Sequence, residues 1–140
     1  MSEITPAAYR AGSGEPLLLL HGFTGSWQLW QPILAELTAR YDVFAPTLPG
    51  HFGGPPISIR RPFGLGQFTD WIERELDSRS IDKPHVVGSS LGGALAAELA
   101  VRGRARSLIA VAPGFGWTAD DPVRGRIATN FRRQHRLGRR

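Results

Sequence analysis

The stretch His85-Val86-Val87-Gly88-Ser89-Ser90-Leu91-Gly92-Gly93-Ala94 decides the reading of this chain. A β-branched run stops at Gly88, two serines follow, and an Ala/Leu-rich helical pattern begins at once. That order predicts a strand, a sharp turn and a helix, with a hydroxyl at the apex. The spacing Gly88-x-Ser90-x-Gly92 is that of a nucleophile elbow, whose turn is too tight for side chains two residues either side of the apex. The crowding selects one serine. With Ser89 at the apex the flanks would be Val87 and Leu91, both bulky; with Ser90 they are Gly88 and Gly92. Ser90 is the candidate nucleophile and Ser89 its neighbour.

Before the elbow, short apolar runs alternate with helical patterns. Ile4 to Arg10 has weak strand character, broken by Pro6, Gly12 and Gly14. Leu17 to Leu20 is a continuous apolar run between Pro16 and Gly22, as a strand buried on both faces requires. Ser26 is placed to cap a helix carrying Trp30, Ile33, Leu34, Leu37 and Tyr41, with Pro32 in its early turns. Asp42 to Ala45 reads as a strand stopped by Pro46, followed by the Gly/Pro-rich loop Pro49–Pro56. Leu65, Phe68, Ile72 and Leu76 form one face of a second helix. After the elbow helix, with its small residues Ala96, Ala97 and Ala100, a fourth strand spans Ser107 to Ala112 and closes at Pro113-Gly114. Alternating strands and helices predict an α/β fold with a mostly parallel sheet and right-handed crossovers.

Composition narrows the function classes. At 140 residues the chain is one domain by length. It has no cysteine, hence no disulfide framework, thiolate zinc site or redox pair. With no basic-then-apolar segment at its start, it reads as cytoplasmic. Its longest aliphatic run, Leu17 to Leu20, is far short of the ~20 residues needed to span a bilayer. The net charge of +5 is localised, because seven arginines lie in the last 17 residues, which hold no acid. Without them, 10 basic residues face 12 acidic ones. Phe131 is the only aromatic among those 17 residues, so no base-stacking stripe supports nucleic-acid binding. Val123, Ile127 and Phe131 recur every four residues after Asp121-Pro122, which predicts an amphipathic helix over 118–140 with the arginines on its polar faces. The Gly spacing matches no nucleotide-binding fingerprint, and no His/carboxylate cluster has metal-ligand spacing, so neither cofactor nor metal is expected.

A serine hydroxyl needs a base, a group that orients the base, and two N–H donors for the oxyanion. The Leu91 N–H, at the start of the elbow helix, is one natural donor. The loop after Leu17–Leu20 supplies a second: Gly22 lets the backbone turn and Phe23 presents its N–H. On the segments His21-Gly22-Phe23-Thr24-Gly25, Pro49-Gly50-His51-Phe52-Gly53 and Gly88-Ser89-Ser90-Leu91-Gly92-Gly93, in this order, the sequence resembles the α/β-hydrolase family over residues 12–117. The resemblance implies a three-layer core with Ser90 as nucleophile, Phe23 and Leu91 as the oxyanion hole, His21 tying the loop and Gly22 opening the site. It implies a hydrolase of esters or related acyl bonds, with a small acyl substrate and an acyl-serine intermediate. It also implies a strand order with the elbow strand between the Leu17 and Ser107 strands, and the Val43 strand outside the Leu17 strand. Residues 118–140 resemble the start of the family's cap, giving a 1–117 core and a 118–140 extension.

In the family the acid and the histidine follow the nucleophile on later strands. Here only the basic segment follows Ala112, so the chain reads as the amino-terminal part of such an enzyme. His21 and His51 precede Ser90 in loops of structural type, and His85 starts the elbow strand. His135, with Asp120 or Asp121, keeps the order Ser, Asp, His, but Asp121-Pro122 reads better as a helix start and His135 is crowded by arginines. The competing expectation is a non-catalytic module that pairs the open Ser107–Ala112 edge with a second copy or another chain.

Overall fold

The computed structural model describes residues 2–58 and 64–114. Six strands form one sheet: β1 (Glu3–Ile4), β2 (Ala8–Ala11), β3 (Glu15–Leu20), β4 (Tyr41–Pro46), β5 (His85–Ser89) and β6 (Ser107–Val111). Three α-helices alternate with them: α1 (Gln31–Thr38), α2 (Leu65–Ser78) and α3 (Leu91–Val101). The sheet order is β1-β2-β4-β3-β5-β6. The pairs β4·β3, β3·β5 and β5·β6 are parallel, while β1 and β2 add an antiparallel hairpin outside β4. The elbow strand thus lies between the Leu17 and Ser107 strands, with the Val43 strand outside, as the resemblance implies.

The Leu17–Leu20 run is central because it feeds both faces. Leu18 and Leu20 join Phe44, Val86, Ile72, Leu76, Leu95 and Leu99 in a core under α2 and α3. Leu17 and Leu19 join Val43, Ala45, Trp27, Trp30 and Leu34 in a second core under α1. Helices on both faces of a mostly parallel sheet make a three-layer α/β arrangement. On α2 the buried stripe is Phe68, Thr69, Ile72 and Leu76, whereas Leu65 in its first turn is exposed. Arg102 beyond α3 bonds Asp70 and Glu73 of α2 as well as Glu98, and these carboxylates raise its pKa. It locks the two helices of that layer together.

Three local details differ from the sequence reading. The single helix expected after Ser26 is instead a 3₁₀ turn, Trp27–Trp30, followed by α1. Pro32, in the first turn of α1, has no N–H for an i→i−4 bond, so the preceding turn closes with i→i+3 geometry. Ser26 makes no capping bond to the backbone; its hydroxyl turns to Gln28. Tyr41 opens β4 rather than continuing the helix, and β4 runs through Pro46. The Thr47 N–H donates to the Ala7 carbonyl at 2.8 Å, so the missing N–H of Pro46 falls on the β3 side, where the parallel pairing ends at Leu18 and Phe44. The helix expected over 118–140, with Asp120, Asp121 and His135, lies outside the described residues. Among the described residues, no helix is long and apolar enough to cross a membrane.

Candidate active site

β5 ends at Ser89 and α3 begins at Leu91, so Ser90 alone makes the reversal. Its backbone sits at φ 52°, ψ −113°, a region that L residues seldom occupy. Such a conformation persists only when its surroundings fix it, and here three bonds do so. The Ser90 N–H donates to the Val111 carbonyl at 3.0 Å, and the Ser90 carbonyl accepts from the Gly114 N–H at 2.9 Å and the Ala94 N–H at 3.2 Å. The strained residue is thereby held by β6, by the turn after β6 and by its own helix.

The glycines explain why the turn needs this sequence. A methyl at Gly88 would overlap the Gly92 carbonyl and stand 2.7 Å from the Gly93 nitrogen. One at Gly92 would overlap the Leu20 carbonyl and stand 2.7 Å from the His21 oxygen. Real Cβ atoms do not approach so closely, so both flanks must be bare for α3 to cross the end of β3. Gly22 faces the apex itself: a methyl there would lie 3.2 Å from Ser90 Cβ and 3.9 Å from Ser90 Oγ. The fold therefore brings together Ser90, Gly22, Gly88 and Gly92, residues separated by up to 70 positions in sequence.

The loop carrying Phe23 is built by His21. Gly22 to Gly25 closes as a turn, with the Gly25 N–H donating to the Gly22 carbonyl at 3.1 Å and Thr24 at φ 67°. His21 is fully buried. Its Nε2 accepts from the Leu48 N–H at 2.9 Å, which requires a lone pair there and puts the ring proton on Nδ1. That Nδ1–H donates to the Gly22 carbonyl at 2.7 Å. Burial pushes the His21 pKa down to about 4, against a smaller upward pull from the Gly22 carbonyl and a further lowering by His51. Neutral His21 thus ties the β3 loop to the β4 loop. Sequence reading assigned this residue a tying role but gave no hint of its partner, because Leu48 contributes only a backbone N–H.

His51 packs edge-on against His21, with ring centroids 5.0 Å apart, and against Phe23 at 5.7 Å. Its Nδ1 meets the Pro49 carbonyl at 3.1 Å. His85 is placed elsewhere. It opens β5 opposite Leu17, at the far end of the strand from Ser90, and bonds Glu15 at 2.9 Å and Ser107 at 2.6 Å. The Leu91 N–H, first in α3, is one of the helix's amides without an intrahelical acceptor. A cavity of about 420 Å³ lies between the loop after β4 and α2, walled by Pro49, Ile57, Phe68 and Trp71; Ser90 does not line it. Among the described residues, no three His, Asp or Glu side chains converge as a metal-ligand set.

This arrangement of elbow, glycines and β3 loop is matched by a known family. The sequence pattern of the alpha/beta hydrolase family covers residues 17–140. The chain belongs to the alpha/beta hydrolase family. Among its relatives, a dihydrolipoyllysine-residue acetyltransferase component of an acetoin cleaving system from Cupriavidus necator is 40% identical over 112 residues, 78% of this chain and 29% of that protein. A pimeloyl-[acyl-carrier protein] methyl ester esterase from Aeromonas hydrophila is 36% identical over 105 residues, 74% of this chain and 39% of that protein. The structure of a bacterial membrane phospholipase A superposes with a TM-score of 0.73 at 28% identity, covering 81% of this chain and 38% of that one. The alpha/beta hydrolase chain described here thus spans about a third of the length of each of these proteins.

Proposed function

We propose that Ser90 is the nucleophile of a serine hydrolase acting on an ester or related acyl bond of a small substrate. The observation that carries this reading is the Ser90 backbone itself, held at a disfavoured φ/ψ by three hydrogen bonds with Gly22 against its side chain. Strain of this kind, held in place by the surrounding structure, marks functional turns. The backbone N–H groups of Phe23 and Leu91 form the oxyanion hole. Ser90 Oγ adds to the acyl carbon as its proton passes to a general base. The carbonyl oxygen takes the charge beside the two amides, the alcohol or thiol leaves with a proton, and water then releases the acid from acyl-Ser90. His21 is excluded as that base, since both its nitrogens are engaged. His85 is excluded by its place at the opposite end of β5.

Two named relatives support the ester class: one is a methyl ester esterase and one a phospholipase A. The chemistry needs no cofactor. A chain without cysteine suits a reducing cytoplasm.

The test is fluorophosphonate labelling and p-nitrophenyl ester turnover of the full chain beside Ser90→Ala. The expected result is labelling that disappears in the variant. Equal labelling of both chains would refute the assignment of Ser90. Absence of labelling in both would leave the chain a non-catalytic module of the fold. A faint residual rate decides neither way, because an oxyanion hole and binding alone give about 10³-fold acceleration.

A further inference from the structure

We propose that the cavity between α2 and the loop after β4 binds a small amphipathic carboxylate, with its apolar body against Phe68 and Trp71 and its anion on Arg74. The cavity measures about 420 Å³, at the small end of the ~300–1,000 Å³ of ligand pockets. Pro49, Pro56 and Ile57 wall it from the loop, and Phe68, Trp71 and Arg74 from the helix. All of these residues precede the elbow. With about 3.6 residues per turn, Trp71 and Arg74 stand on one flank of α2. Glu73 and Asp77, bonded to Arg102 and Arg104, stand on the other flank, towards α3. The cavity is thus on the side of α2 turned away from α3.

The charge of the ligand follows from the ion pairs of α2. Every acid of this helix is held by an arginine that does not line the cavity. Asp70 and Glu73 are bonded to Arg102 at 2.6 and 2.8 Å, Glu75 to Arg79 at 2.7 Å, and Asp77 to Arg104 at 2.8 Å. Arg74 is the only basic residue of α2, and no carboxylate of the helix is left for it. Among the described residues its guanidinium makes neither an ion pair nor a hydrogen bond, and it is exposed at the cavity. Asp70 also lines the cavity, but Arg102 already neutralises it. The unmatched charge is therefore positive. A guanidinium presents a planar fork of N–H donors that a carboxylate can accept in pairs.

The remaining walls call for an apolar body. Phe68 is buried and Trp71 half-buried, and both are anchored in the core under α2 and α3, so the aromatic wall is already in place before a ligand arrives. Aromatic walls favour a ring, which gains edge-on or offset contacts beyond the area it buries. Phe68 also packs edge-on to His51, with centroids 6.3 Å apart, so the cavity adjoins the candidate active site through that ring. Ser90 does not line it, and binding here does not require Ser90. Because Arg74 is exposed, water screens its pairing with the anion, and a ligand this small binds with a dissociation constant of about 1 mM.

The test is an amide chemical-shift titration of the full chain with 3-phenylpropionate, up to about 20 mM, beside the neutral 3-phenylpropan-1-ol. The expected result is saturable shifts centred on residues 49–58 and 67–74, with the alcohol about fivefold weaker than the acid. Arg74→Gln, at an exposed position, keeps the melting temperature and brings the acid down to the affinity of the alcohol. Trp71→Leu weakens both compounds. Ser90→Ala binds as the wild type does, so the result holds whether or not Ser90 is a nucleophile. A wild-type chain with no saturable shift at these residues overturns the proposal. So do equal affinities for acid and alcohol, or binding of the acid that ignores Arg74→Gln.

Discussion

Acidification below neutrality should weaken this fold through His21. The ordinary pKa of 6.5 falls to about 4 in the folded chain, chiefly because the ring is buried. The unfolded chain therefore binds a proton in the window between about 4 and 6.5 that the folded chain refuses. Stability rises with pH wherever the unfolded state holds more protons. The His21 contribution is complete above pH 6.5 and is lost as the pH falls towards 4. At 1.36 kcal/mol per pKa unit, the full loss is about 3 kcal/mol, and about 2 kcal/mol of it has gone by pH 5. The structural reason is specific: a proton on Nε2 would confront the Leu48 N–H with a second donor and break the tie at 2.9 Å. Two measurements check this. Urea unfolding between pH 4.5 and 8 should show midpoints that fall on the acid side, with His21→Gln removing the His21 share of the slope. Site-resolved NMR should show the His21 ring neutral, protonated at Nδ1, until the pH approaches about 4. A folded chain whose His21 signal titrates near 6.5 would refute the argument, because burial without protonation is its whole basis.

The remaining predictions concern the elbow and the helix layer. Gly92→Ala should cost at least about 3 kcal/mol or abolish folding, since its methyl overlaps the Leu20 carbonyl, whereas Gly64→Ala, with open space around it, should stay within about 0.5 kcal/mol; thermal melts compare them. Ser90→Gly should melt higher than Ser90→Ala by roughly 1 kcal/mol, because only glycine relieves the strain at φ 52°, and equal melting would show that the turn stores none. Arg102→Ala should cost no more than about 1 kcal/mol, as its partners on α2 are solvent-accessible, and the loss should shrink in high salt.

Much of the fold was legible because its signals are local and steric. The Leu17–Leu20 run has no polar residue to face water, so it must be central, and it feeds both cores. The paired glycines around Ser90 announce a crossing of backbones that no side chain survives. What sequence could not show is the identity of the backbones being crossed. Gly92 is bare because of the Leu20 and His21 carbonyls, and Gly88 because of Gly92 itself. The start of α1 was misread because propensity rules weigh Ser26 as a cap without weighing the missing N–H of Pro32. Tyr41 was assigned to the helix because its spacing fits either element; the chain leaves the helix at Thr38 and only pairing with Glu15 fixes it as a strand residue.

The strained serine is tied to β6 and to the turn after it by hydrogen bonds of its own backbone. The Ser90 N–H is anchored to the Val111 carbonyl, the last residue of β6, and the Ser90 carbonyl to the Gly114 N–H just beyond it. Whatever orders β6 therefore orders the apex of the elbow. Among the described residues β6 is held by β5 and by α3. On this reasoning Val111→Gly, which loosens β6 at the residue that anchors the Ser90 N–H, should increase amide exchange at Ser90 and Gly114 while leaving Leu18 and Leu19 protected. Uniform exchange across β3, β5 and β6 would show instead that the sheet opens as one unit and that β6 exerts no separate control over the elbow.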